Sequence, residues 1–178
     1  MHIFLFFLTL CLFCLIVFLY LNLFYSFYLK VPMLSTGSNV IKKILQEIDF
    51  KEAKKFYDLG AGNGKVISYV ASRYPNLKCT GIEYNIAAYC YAKLRNIFLK
   101  QKVSYKMGDF FKVNISDADI VYTYLFPGLM DRLESKFARE LKKGTLVISN
   151  AFPIKDRKPK FIIQGKAGAL NTLYVYEY

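Results

Sequence analysis

In the stretch YDLGAGNGKVI (57–67) an acid and three glycines, Asp58, Gly60, Gly62 and Gly64, stand at every second position. Glycine tolerates positive φ and carries no Cβ, so Gly60 suits a tight turn, Gly62 a close approach to a ligand, and Gly64 the start of a helix. Glu83 follows about twenty residues on, closing the strand-like run LKCTGIE, where an acid can accept hydrogen bonds from ribose hydroxyls. Gly108-Asp109-Phe110 brings a third carboxylate, suited to accept from an adenine amino group while Phe110 packs on the ring. Each acid alone could be an ordinary surface residue. Three at successive strand ends form a constellation that turns do not explain.

Two nucleotide motifs fit poorly. Aligned on Gly60 and Gly62, the dinucleotide fingerprint GxGxxG puts Lys65 where its third glycine belongs. A P-loop needs Ser or Thr after its Gly-Lys, and here Val66 follows Gly64-Lys65. The single histidine is His2, which leaves no Cys/His zinc site for a folded domain and no histidine-dependent serine or cysteine nucleophile. No metal site is expected. Cys11 and Cys14 lie in an apolar run, Cys79 and Cys90 in a strand and a helix, so the four cysteines form no disulfide framework.

The elements around these residues alternate. KKFYDL, LKCTGIE, VSYKMGD, ADIVYTYL and TLVISNAF read as strands. Helices are expected at 40–48, KVISYVASRY, NIAAYCYAKLRNIFLK and 128–143, the first capped by Ser38 or Asn39. The rhythm changes at the end, where FIIQG and TLYVYEY predict a hairpin. Right-handed crossovers then give a doubly wound, mostly parallel seven-stranded α/β sheet covered on both faces, with a C-terminal antiparallel hairpin. Ligands of such sheets bind beyond the carboxyl ends of the strands.

Residues 3–29 contain no charged side chain, which is longer than the ~20 apolar residues that cross a bilayer. The run lacks the basic start and small-residue cleavage site of a signal peptide. Tyr20, Tyr25 and Tyr28 suit the headgroup level, and Lys30, Lys42 and Lys43 follow the span. The expected division is a transmembrane anchor at 1–30, a linker at 31–39 and a domain at 40–178 facing the cytoplasm or an organelle interior. The linker VPMLSTGSN reaches at most ~30 Å, so the domain stays near the bilayer. The formal charge of +12 belongs wholly to the part after the span, which suits anionic lipid headgroups better than nucleic acid. KDRKPK (155–160) is either a solvated loop or a contact for headgroups or an acidic partner.

DLGAGNG, GIEYN and GDFF resemble the motifs of class I, seven-β-strand S-adenosylmethionine-dependent methyltransferases, over about residues 38–178. The anchor, the lead-in VPMLSTGSNVIKKIL and the segment YTYLFPGLMDRLESKFARELKKGTLVISNAFPI together look like a narrower group. These are the small membrane-anchored lysine methyltransferases of the ATP synthase c-subunit and the adenine nucleotide translocator, with their prokaryotic relatives. The resemblance implies that Asp58, Gly60, Gly62, Asn63 and Gly64 line the methionine and sugar side of S-adenosyl-L-methionine. It implies Glu83 on the ribose, Asp109 with Phe110 on the adenine, and Tyr124, Phe126 and Pro127 at the methyl acceptor. The implied substrate is a membrane or membrane-proximal protein.

Methyl transfer from a sulfonium is an in-line displacement, in which positioning matters most. A lysine acceptor, with an ordinary pKa near 10.4, costs roughly 4.6 kcal/mol to neutralise at pH 7. Burial beside a positive sulfonium lowers that pKa, and aromatic walls at Tyr122, Tyr124, Phe126 and Phe152 could hold the ammonium by cation–π contact. Core packing is the competing reading of those rings. Two other functions share these residues: methylation of a membrane-soluble small molecule such as a quinone or lipid, and a non-catalytic, membrane-tethered basic binding module.

Overall fold

A computed structural model of the protein describes residues 2–28, 35–165 and 171–178, and of 21–28 the backbone alone. The chain divides into two compact units, Met1–Met33 and Leu34–Tyr178. The side chains of Tyr25 and Tyr28, Lys30 and the first part of the 31–39 linker lie outside the described residues.

The described residues of the first unit form one helix, α1 (His2–Tyr28), about 40 Å long at 1.5 Å per residue. Its His2–Tyr20 portion has a mean hydropathy of 2.9 and is long and apolar enough to cross a membrane. Thr9, a polar residue in that portion, turns its hydroxyl back to the carbonyls of Leu5 and Phe6. Its donor is thus satisfied within the helix, as a lipid environment demands.

The second unit opens with α2 (Ser38–Glu47), whose Val40, Ile41 and Ile44 are buried. The cap falls one residue earlier than the sequence suggests. Gly37, extended at φ −63° and ψ 145°, is the N-cap, and its carbonyl accepts from Val40 and Ile41, so Ser38 and Asn39 are already helical. Strands β1 (Lys55–Leu59), β2 (Lys78–Glu83), β3 (Val103–Met107), β4 (Ile120–Thr123), β5 (Leu146–Asn150), β6 (Phe161–Ile163) and β7 (Leu173–Glu177) make one seven-stranded sheet. Its order is β3-β2-β1-β4-β5-β7-β6. The pairs from β3 through β5 are parallel, and β7 runs antiparallel between β5 and β6.

The crossover helices are α3 (Lys65–Arg73), α4 (Ile86–Phe98) and α5 (Pro127–Glu140). On one face α2, α3 and α4 bury Ile44, Ile67, Val70 and Ala92 against Phe56, Cys79 and Tyr122 of the sheet. The other face is covered by α5, through Met130, Leu133 and Phe137, and by the irregular β3–β4 connection, through Ile115 and Ala118. Lys136 fastens that connection to α5. Buried to 3% exposure, its ammonium donates to the carbonyls of Phe111 and Val113 and pairs with Glu140 at 2.6 Å. A buried cation is tolerated only with such full coordination. α5 begins one residue before the expected start, because Pro127 at its first turn has the helical φ preset.

Two cations of KDRKPK are tied into the fold, while Lys155 and Lys158 are exposed. Arg157 pairs with Glu134 at 3.1 Å and lies 3.6 Å over the Tyr178 ring, and Lys160 pairs with Glu177.

Candidate active site

The loops after β1, β2 and β3 meet at the carboxyl end of the sheet. Gly60 and Ala61 donate to the Ile82 carbonyl at 2.9 and 3.0 Å, and Gly108 donates to the Glu83 carbonyl at 2.9 Å. Glu83 then clamps the assembly with its side chain. One carboxylate oxygen accepts from the Gly62 amide and the other from the Asn85 amide, both at 2.7 Å. Asn85 in turn caps α4, accepting from Ala87 and Ala88 at 3.0 Å. Asn63 accepts from Lys65 at 3.1 Å, an Asx turn that leads into α3. Asp109 makes the matching turn after β3, accepting from Phe111 at 2.9 Å.

Gly62 and Gly64 both hold positive φ, +54° and +71°, yet do different work. A Cβ on Gly62 would meet nothing but its own loop, at 4.0 Å, so space is open on the Cα side of this residue while its amide is held by Glu83. A Cβ on Gly64 would lie 2.2 Å from the Tyr105 hydroxyl and 3.1 Å from the Ala92 Cβ. That glycine admits β3 and α4 to the helix start, and protein fills the space beside it. The motif thus splits into an open part and a packing part.

Asp58, 2% exposed at the end of β1, carries the most perturbed acid of the site. Burial pushes its carboxyl up to about 8, with help from the neighbouring Glu83 charge, while the Ile67 amide pulls it back down. No lysine or arginine is ion-paired with it among the described residues. Such a group gains most from a ligand that brings positive charge.

Beyond β4 and β5 the site turns aromatic. The Phe152 ring lies between Tyr124 and Phe126, at centroid distances of 6.4 and 5.6 Å. All three are half-buried, and burial raises the Tyr124 hydroxyl above its ordinary value. Pro127, exposed, is the first residue of α5, directly after the Phe126 N-cap. Tyr122 belongs to the core. Its hydroxyl, 2% exposed, bonds Thr36 at 2.8 Å and the Asn150 amide at 3.0 Å. Thr36 and Asn150 were not foreseen from the sequence. Their partners lie 86 and 28 residues away, and no local pattern joins them. Ala151, next to Asn150, holds a strained φ of +68° and turns the chain toward Phe152.

Comparison with known proteins agrees with this architecture. Residues 58–161 match the family described as the ANTKMT methyltransferase domain. The chain is 31% identical over 154 residues to a protein-lysine N-methyltransferase of Saccharolobus islandicus, covering 85% of this chain and 96% of that protein. It is 27% identical over 138 residues to the mouse adenine nucleotide translocase lysine N-methyltransferase, covering 76% of this chain and 59% of the mouse protein. Among solved structures, an RNA methyltransferase from Salinibacter ruber in complex with S-adenosyl-L-homocysteine superposes with a TM-score of 0.74. It is 26% identical and covers 81% of this chain and 93% of its own.

Proposed function

The chain belongs to the ANTKMT methyltransferase domain family, and from that premise we propose that it methylates a lysine side chain of a membrane or membrane-proximal protein. S-adenosylmethionine is the methyl donor. The observation that carries the lysine reading is the 31% identity to a protein-lysine N-methyltransferase over 96% of that protein's length. The membrane part rests on α1 and on the lysine flank that follows it, Lys30, Lys42 and Lys43, which sets the domain on the cytoplasmic or organelle-interior side.

The site fits the donor. An acid held near 8 by burial suits a ligand with cationic groups, and the open space beside Gly62 and the Glu83 carboxylate suit a sugar. When bound, the donor supplies an electrophilic methyl group on a positive sulfur. Asp58 then provides countercharge on the methionine side, with Gly60, Gly62 and Asn63 shaping the loop around it. Glu83 accepts from the ribose through lone pairs left over from its two amide bonds. Asp109 and Phe110 bound the adenine. Gly64 supports the loop from behind.

Tyr124, Phe126 and Phe152 form the acceptor slot. Their faces receive the ammonium, and burial beside the donor's positive sulfur then outweighs that attraction, so the incoming lysine loses its proton more easily. The neutral amine nitrogen would bond to the methyl carbon as the carbon–sulfur bond breaks and its electron pair stays on sulfur, with the aromatic walls holding the amine in line.

The full chain in detergent micelles is expected to bind S-adenosylmethionine in calorimetry and to lose that binding on Glu83→Ala. Incubated with methyl-labelled donor and membranes from its host, it should place label on protein lysines. Label recovered in the lipid extract instead would sink the lysine reading.

A further inference from the structure

Helix α4 is built inside out. The side it turns to the sheet is made of small residues, Ala88 and Ala92. Its large apolar residues point outward: Ile86, Tyr91, Leu94, Ile97 and Phe98, with Leu99 just beyond, are between 49 and 80% exposed. At 3.6 residues per turn, the five helical ones fall within an arc of about 140°. The same spacing puts Lys93 at one border of that arc and Arg95 at the other. Lys100 and Lys102 follow at its end, and Lys106 lies on β3, the edge strand of the sheet. From residue 84 to 108 there are five cations and no acid. None of the five is ion-paired among the described residues.

We propose that this face of α4 lies on an anionic phospholipid bilayer and is a second membrane contact beside α1. The inference rests on the membrane reading of α1 given above. An apolar helix face bordered by Lys and Arg is the pattern of helices that lie in the interfacial plane, with rings and aliphatic chains among the acyl tails and cations at the phosphates. A second copy of the chain suits the face poorly, because a two-fold contact would set these cations against their own copies. The contact also gives the active site a defined height. α4 starts three residues after Glu83, so its N-terminal end, at the rim of the site, is held at the membrane surface.

The chain contains no tryptophan, so a single introduced one reports cleanly. Phe98→Trp, at an 80% exposed position, and separately Leu12→Trp in α1, are placed in the full chain. Each protein is reconstituted in vesicles of phosphatidylcholine with phosphatidylserine, with or without brominated acyl chains. Brominated lipid is expected to remove about half of the emission of the Phe98→Trp protein, and much less in pure phosphatidylcholine or when Leu94→Asp is added. Quenching at Leu12→Trp with none at Phe98→Trp overturns the α4 contact and leaves the anchor standing. Quenching at neither position removes both, and quenching at Phe98→Trp alone keeps the α4 contact and removes the anchor. Blue-shifted but unquenched emission from Phe98→Trp shows protein covering the face and also overturns the proposal.

Discussion

The two halves of the active-site rim are built by different means. On the proposed donor side, at the ends of β1, β2 and β3, backbone amides and carboxylates interlock: Glu83 alone ties Gly62 to Asn85, and Gly60, Ala61 and Gly108 bond the strand-end carbonyls beside it. On the proposed acceptor side, beyond β4 and β5, the half-buried rings of Tyr124 and Phe126 pack on Phe152, and Tyr122 of β4 bonds Thr36 and Asn150 in the core. The first half is directional and rigid. The second is shaped by packing, which leaves it free to vary with the acceptor while the donor half stays the same.

The largest effect should come from the donor side. Glu83→Ala leaves two amides without acceptors, at ~1.5–3 kcal/mol for each charged hydrogen bond, so S-adenosylmethionine binding should weaken at least ~100-fold. Calorimetry on the full chain reads this directly. An unchanged affinity would mean that the donor half is not organised by this clamp.

Next in size is the contrast between two glycines. Gly64→Ala drives a Cβ into Tyr105 and Ala92 in a left-handed conformation, and should cost ~2–4 kcal/mol of stability in urea unfolding. Gly62→Ala has room and should cost only the ~1–2 kcal/mol of its φ, yet weaken donor binding more than Gly64→Ala does. Equal losses of stability would show that the loop does not divide into ligand-facing and packing parts.

Asp58 gives the donor side a pH dependence. Its folded pKa, about 8, lies above its unfolded value, so its contribution to stability is complete below pH ~4 and is lost as pH rises through 8. A cationic ligand prefers the ionised form, so donor affinity should climb up to tenfold per pH unit toward pH 8 and then level off. Asp58→Asn should raise the Tm of the ligand-free protein at pH 8 and above while abolishing that climb. The smallest effects belong to the acceptor side. Phe126→Ala should lower turnover about tenfold with donor affinity unchanged, and Tyr124→Phe less still. Full turnover in both would remove the aromatic slot.

That contrast also separates what the sequence reveals from what it hides. The donor half is legible because each of its devices is local: an acid and glycines at alternate positions, and Glu83 and Asp109 at strand ends. Strand alternation likewise gives the sheet and its terminal hairpin. The acceptor half depends on residues far apart in the chain. Thr36 reaches Tyr122, and Asn150 meets the same hydroxyl, through strand order alone. In KDRKPK the sequence does not show that Arg157 and Lys160 pair with Glu134 and Glu177 of the same chain. The outward apolar face of α4 hides for a related reason, since periodicity shows that a helix has an apolar side and not which way that side turns.

The Glu83 clamp has a thermodynamic consequence. A glycine-rich loop is the most flexible kind of backbone, and ordering each of its residues costs ~1–2 kcal/mol of conformational entropy. Because Glu83 holds the Gly62 amide in place within the folded chain, that disorder is surrendered at folding and not at each encounter with the methyl donor. Donor capture should therefore carry only a small ordering entropy, and exchange of spent for fresh donor need not remake the loop in every cycle.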